Sequence, residues 1–378
     1  MNTMKKKIWK MSGAVLMVLT LTIGCIGVNT ATVQAAEYSV APATAVLYTG
    51  SGAEVFAQPD PATLVTVLPG DVPLQVTGMT SNGYFQVVVN DGIFYVYGKA
   101  LSAAVGTNAY KLTSIDAKAA LVGDAATGQL IYAQNAYDRL APASTTKIMT
   151  VLLVMDAIAQ GKIALDTPVM VSATALAGIP SDASHVSPRL KAGEVLNVLE
   201  LLECVMLSSD CHACNVLAEL AAGSVDNFIA MMNARAAALG CTETNFVNTS
   251  GYPDPNHYTN AYSLFLITKE AYRYPVFQVI AAMPAAVIPA TNMAPERSQE
   301  TTNALMKASE YYNPYAIGVK TGSAQSSGLC LVGAAKKNDT TVITVVLGAG
   351  NNLMSDGTRL KQQFSETNKL IEMGLAGK

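Results

Sequence analysis

Beyond its first 36 residues the chain contains no tryptophan, and charged side chains make up only 13% of the whole. Neither sign of charge dominates, with 24 Lys and Arg against 27 Asp and Glu. That balance denies the protein the basic footprint that nucleic acid or an anionic lipid surface demands, and no run of like charges marks a tail. Nucleic acid is not an expected partner. Histidine is scarce too, with three in 378 residues. The cluster Cys211-His212-Ala213-Cys214 therefore lacks a second ligand pair at matching spacing, and thiols packed on a helix explain it better than a zinc site. What is abundant is apolar side chain, 51% of the chain, enough to bury large cores in more than one domain.

Lys5, Lys6, Lys7 and Lys10 precede an apolar run from Met11 to Val28, and Val33-Gln34-Ala35 supplies small residues for cleavage near Ala35 or Ala36. Residues 1–36 read as a secretory signal peptide and the protein as extracellular; a retained anchoring helix and lipidation at Cys25 are the alternatives. Removing the leader takes four lysines and no acid, leaving 20 cationic side chains against 27 acidic ones, a net charge of about −7. Cys204, Cys211, Cys214, Cys241 and Cys330 remain, an odd number, so at least one is free or pairs between molecules.

Residues 38–104 are poor in helix formers, rich in Val, Thr, Tyr and Phe, and cut into short pieces by Gly and Pro. Leu64–Val67, Leu74–Val76 and Phe85–Val89 are expected strands, and Asn90-Asp91-Gly92 is a hairpin turn signal. The order Leu68-Pro69-Gly70-Asp71, Gly83-Tyr84-Phe85-Gln86-Val87 and Gly92 to Tyr97 resembles a bacterial SH3-type β-barrel, which implies cell-wall targeting. A second domain is expected over residues 108–378. Its strands fall at the two ends, 119–124 with 129–133 around Ala126-Thr127-Gly128, and 316–321, 329–335 and 341–347. Between them apolar residues recur at helical spacing over 145–159, 196–207, 213–222 and 225–239, and a last helix is expected over 358–373. The fold class is α+β, an antiparallel sheet with a mostly helical lobe inserted.

Three short motifs carry chemistry. Ser144-Thr145-Thr146-Lys147 opens a helical run directly after Pro142, and residues at i and i+3 share a helical face, so a hydroxyl and an amine meet where unpaired N–H groups favour developing negative charge. Alone this is also the pattern of a capping Ser with a solvated Lys. Ser209-Asp210-Cys211 in the helical lobe and Lys320-Thr321-Gly322 on a late strand change the balance, because Ser-x-x-Lys, a Ser-Asp-Asn-like element and Lys-Thr-Gly in this order are the signature of penicillin-binding proteins and class A β-lactamases. The surrounding text is similar to the D-alanyl-D-alanine carboxypeptidase family of low-molecular-weight penicillin-binding proteins over residues 110–375: Leu121 to Gly128, Leu140 to Thr150, Ser181-Asp182-Ala183-Ser184, Gly193-Glu194, Asn215 to Glu219, Gly251-Tyr252, His257-Tyr258-Thr259 and Gly318 to Gly322.

The resemblance implies a serine-type carboxypeptidase that removes the terminal D-Ala from peptidoglycan stem peptides through an acyl-enzyme, with β-lactams as covalent inhibitors. Ser144 is then the nucleophile, and Lys147, kept uncharged by burial and by the like charge of Lys320, the general base. Ser209 relays a proton to the departing amine. The backbone N–H groups of Ser144 and Ser323 hold the oxyanion. Cys211, Lys320, Thr321 and Gly322 line the substrate, and no metal or organic cofactor is called for. Two positions depart from the family pattern. Cys211 stands where an Asn is usual, and a thiol is the weaker hydrogen-bond partner. Gln363 stands where an Arg is usual, and Arg359, one turn earlier on the expected helix, is the candidate substitute, a solvated Arg being the alternative. These departures leave a catalytically impaired, wall-binding protein as the alternative. A β-lactamase is disfavoured, since no Glu suited to deacylation lies in 248–259.

Overall fold

The computed structural model describes residues 38–376 except 50–52, 69–72, 90–91, 99–100, 104–114, 181–182, 184, 242 and 354–358. The expected leader, the turns at 69–71 and 90–91, most of the motif 181–184 and the expected domain boundary near 104–108 lie outside the described residues. Seven strands come first: β1 (Val40–Thr49), β2 (Ala53–Phe56), β3 (Leu64–Leu68), β4 (Pro73–Thr80), β5 (Tyr84–Val89), β6 (Gly92–Tyr97) and β7 (Leu101–Ala103). They pair antiparallel in the order β3-β2-β6-β5-β4-β1-β7.

The hairpin of β8 (Ala119–Asp124) and β9 (Leu130–Gln134) opens the second region. After it come α1 (Lys147–Ala159), β10 (Pro168–Met170), α2 (Ala173–Leu176), β11 (Val195–Asn197), α3 (Val198–Met206), α4 (Cys211–Ala222), α5 (Val225–Ala238), α6 (Ala261–Ala271), α7 (Pro275–Ala281) and the hairpin β12 (Ala285–Ile288) and β13 (Arg297–Glu300). Three long strands, β14 (Ala316–Ala324), β15 (Gly328–Lys337) and β16 (Thr340–Ala349), precede the short hairpin β17 (Asn351–Leu353) and β18 (Arg359–Lys361), and α8 (Gln362–Gly374) closes the described chain. The main sheet has the order β14-β15-β16-β8-β9. Strands from both ends of the region thus make one antiparallel sheet, and the helices between them form the inserted lobe.

Alternation with period two assigns each face of this sheet its own core. Leu121, Val332, Ala334, Ile343 and Val345 bury on the side covered by α6, behind which α1 packs, while Ala120, Val122, Leu331, Val342 and Val346 bury against Phe364, Leu370 and Ile371 of α8. The first of these cores is continuous with the N-terminal sheet, whose Leu47, Val76, Phe85 and Leu101 belong to it. Sheet β14-β15-β16-β8-β9 leaves β14 as an edge, and the turn that opens α1 packs along it.

The expected strands are all present, but several element ends shift. The expected helix over 196–207 gives up its first residues to β11, which pairs with β10, and begins at Val198 because Asn197 and Glu200 form a reciprocal capping box. The last helix begins at Gln362 rather than near 358, since 359–361 pair with 351–353 as β18 and β17. Among the described residues no helix is long and apolar enough to cross a membrane.

The β12–β13 hairpin is tied to the lobe by a fully buried ion pair. Arg297 Nη2 lies 2.7 Å from Glu194 Oε1, its Nε donates to the Pro188 carbonyl at 2.7 Å, and Glu194 also accepts from Thr291 and from the Lys191 backbone. Removing one partner leaves an uncompensated buried charge. Glu194→Ala is therefore expected to lower unfolding free energy by roughly 3–5 kcal/mol, measured by urea denaturation at pH 7; a loss below 1 kcal/mol would show that the pair does not hold the hairpin.

Candidate active site

Ser144 sits in a 3-10 turn, Ala143–Thr146, that runs directly into α1. Side chains three apart eclipse in such a turn, which aligns Ser144 with Lys147 more closely than an α-turn does. Ala143 adopts φ +48°, a left-handed conformation that costs an alanine on the order of 1 kcal/mol. Two backbones hold it there. A Cβ on Gly251, itself at φ +79°, would lie 1.8 Å from the Ala143 carbonyl oxygen. On the opposite side a Cβ on Gly322 would lie 3.0 Å from both the Pro142 oxygen and the Ser144 nitrogen. The lobe loop and the sheet edge thus pinch the turn between them: a side chain at 251 would collide outright, and one at 322 would force its neighbours to give by a few tenths of an ångström.

Lys147 is fully buried, and its Nζ lies 2.8 Å from Ser144 Oγ, 3.0 Å from the Ser250 carbonyl and 3.4 Å from Cys211 Sγ. Its N–H groups reach three acceptors there, the hydroxyl oxygen, the carbonyl and the sulfur. Lys320, on β14 and also buried, donates to the Thr321 carbonyl at 3.0 Å. Burial, reinforced by the like charge of Lys147, pulls its pKa down to about 7. Among the described residues neither lysine has a carboxylate partner.

The Ser-Asp-Cys element divides its labour. Asp210 is fully buried and caps α4, accepting from the Ala213 N–H at 2.9 Å, while its second oxygen accepts from the His185 N–H at 2.9 Å. This delivers Cys211 at the first turn of α4 to Lys147. Ser209 takes φ +64°, and its carbonyl accepts from His185 Nδ1 at 3.0 Å; its hydroxyl makes no hydrogen bond to another described residue. Thr321, Gly322 and Ser323 follow Lys320 along the edge strand beside the Ser144 turn, with Ser323 exposed. The five described cysteines are all buried and free. Arg359 lies on β18, not on α8, so the helical-face argument that paired it with Gln363 does not hold.

Sequence reasoning passed over the groups that hold Lys147 from below. Asn248 Oδ1 accepts from the N–H groups of Ser250, Gly251 and Tyr252, shaping the loop that presents the Ser250 carbonyl. The Asn-x-x-Gly spacing of a side-chain-capped turn was the available signal. His257 accepts from the Val247 N–H on Nδ1 at 3.2 Å, which leaves Nε2 to donate to Thr146 Oγ1 at 2.9 Å.

This geometry has counterparts. The family described as D-alanyl-D-alanine carboxypeptidase matches residues 105–351. The chain belongs to that family. The D-alanyl-D-alanine carboxypeptidase DacF of Bacillus subtilis is 34% identical over 62% of this chain and 58% of its own length, so the match spans under two thirds of that relative. DacC of Escherichia coli is 31% identical over 75% of this chain and 67% of its own. In three dimensions the Streptomyces K15 DD-transpeptidase superposes with a TM-score of 0.61 at 28% identity, covering 70% of this chain and 98% of its own, and penicillin binding protein 6B from Escherichia coli with 0.62 at 27%, covering 73% and 82%. Solved variants of the Streptomyces protein replace a serine by alanine and a cysteine two positions further on by asparagine or alanine.

Burial, opposed in part by Asp254, lowers the His257 pKa from the usual 6.5 to about 4. The unfolded chain binds this proton more readily, so stability is complete above pH 6.5 and is lost as pH falls toward 4, by on the order of 3 kcal/mol. Urea unfolding at pH 7 and pH 4.5 is expected to show this loss, and His257→Gln to lack that component of it; an equal pH dependence in both proteins would assign it elsewhere.

Proposed function

We propose that this protein is a serine-type D-Ala-D-Ala carboxypeptidase acting on peptidoglycan stem peptides outside the cell membrane. The observation that carries the reading is the 2.8 Å approach of Lys147 Nζ to Ser144 Oγ inside a buried pocket that also contains Lys320. Uncharged Lys147 takes the Ser144 proton as Oγ attacks the penultimate D-Ala carbonyl. The tetrahedral oxyanion rests on the backbone N–H groups of Ser144 and Ser323. The C–N bond then breaks, and the leaving D-Ala amine receives a proton from Lys147 or through Ser209. Water, deprotonated by Lys147, attacks the acyl carbonyl, and the same proton passes from Lys147 to Ser144 Oγ as the ester bond breaks.

Charged Lys320 and the Thr321 hydroxyl receive the terminal carboxylate, and its arrival relieves a buried cation otherwise without a counter-charge. Arg359, close in sequence to Gln363, remains a candidate for the same carboxylate. The serine-to-cysteine spacing shared with the Streptomyces DD-transpeptidase variants supports Cys211 as a working member of the site rather than a mark of decay. A cleaved leader over residues 1–36 and wall contact by an SH3-type module over 38–104 complete the proposal; the supports are the leader's composition and the all-β character of the N-terminal sheet.

Release of D-Ala from a Lys-D-Ala-D-Ala peptide is expected from the intact protein and is expected to fall by roughly 10³-fold or more in Ser144→Ala; a fluorescent penicillin should label Ser144. Equal release by both proteins, or a protein that stays dark, would reject the assignment. The carboxylate role of Lys320 has its own thermodynamic sign. Above pH 7 the free lysine is mostly uncharged, so a bound carboxylate must draw a proton onto it. Calorimetry on Ser144→Ala in two buffers should show peptide binding taking up about one proton at pH 8 and about none at pH 6. No difference between the two values would dismiss Lys320 as the carboxylate's counter-ion.

A further inference from the structure

Segment 301–303 joins the two walls of the cleft, and sequence motifs gave it no role. The Thr302 N–H donates to the carbonyl of Leu207, two residues before Ser209, at 3.3 Å. The side chain of Asn303, buried, donates to the carbonyl of Gly318, two residues before Lys320, at 2.9 Å. Thr302 is thereby fixed between the serine loop and the edge strand, with its own side chain exposed to the cleft. Its Oγ1 lies 2.5 Å from Thr321 Oγ1, and among the described residues neither hydroxyl has another partner.

A hydroxyl carries one proton, so at this distance one threonine donates and the other must aim its proton elsewhere. An unpaired Thr321 would be a free rotor, able to turn its proton in several directions. We propose that Thr302 is a positioning residue for carboxylate recognition: its hydroxyl donates to Thr321 Oγ1 and so turns the Thr321 proton toward the terminal carboxylate of the substrate. Accepting one bond while donating another also polarises the Thr321 O–H. The inference rests on the carboxypeptidase reading for the identity of the ligand.

The test uses Thr302→Val, which keeps the shape and removes the donor, and Thr302→Ser, which restores it. The substrates are a D-Ala-D-Ala peptide and an acyl-D-alanine aryl ester whose leaving group has no carboxylate. Thr302→Val is expected to lower kcat/KM on the peptide about tenfold, mainly through KM, with less than a twofold change on the ester, and Thr302→Ser to recover to within about threefold of the intact protein. Equal losses on both substrates, no loss on the peptide, or a serine variant as poor as the valine one would overturn the proposal. Equilibrium binding in the Ser144→Ala background separates this from failure of the carboxypeptidase reading. There the preference for a carboxylate-ended over an amide-ended peptide should fall about tenfold on adding Thr302→Val, whether or not the intact protein releases D-Ala. An unchanged preference, or none to begin with, would also overturn it.

Discussion

The chemistry of this chain depends on the close approach of two glycine backbones to a single turn. Gly251 comes from the helical lobe and Gly322 from the sheet edge, and the carbonyl of Ala143 and the nitrogen of Ser144 are caught between them. A left-handed alanine would not persist on its own account; it persists because both neighbours over-determine it. The return for that strain is placement. Ser144 is located against β14 by backbone contacts on two sides rather than by the rotamer of a long side chain, which is the kind of preorganisation that turns a binding pocket into a reacting one.

Around that turn the electrostatics are left incomplete. Two lysines are buried near each other with carbonyls, a hydroxyl and a thiol for company, and no carboxylate among the described residues neutralises them. For Lys320, burial and the like charge of Lys147 both favour losing the proton. On the proposed function, this one arrangement supplies both a base and a place for negative charge. His257, uncharged at neutral pH, supports the helix start without adding a third positive charge.

Much of this was legible in the sequence. The i, i+3 spacing brings Ser144 and Lys147 together as read, the period-two runs at 119–124 and 329–347 form strands where expected, and the Lys-Thr-Gly strand lies beside the serine turn. What escaped was set by tertiary contact or by backbone groups without a residue signature. The Ser250 carbonyl reaches Lys147 from 103 residues away. Thr302 meets Thr321 only because Asn303 and Leu207 anchor its segment across the cleft. Arg359 looked helical because its polar neighbours fit either period; strand pairing with Leu353 decided otherwise. Asn197 and Asn248, whose side chains cap backbone N–H groups, could have been found from turn chemistry.

The core shared by the two sheets has one more consequence. Leu47, Val76 and Leu101 are buried in the same apolar cluster as Leu121 and Leu130. The N-terminal strands are consequently not a bead swinging on a string. On the proposed function, any wall surface they grip would be held at a set offset from Ser144, as by a caliper with one jaw on that surface and the other on the peptide end.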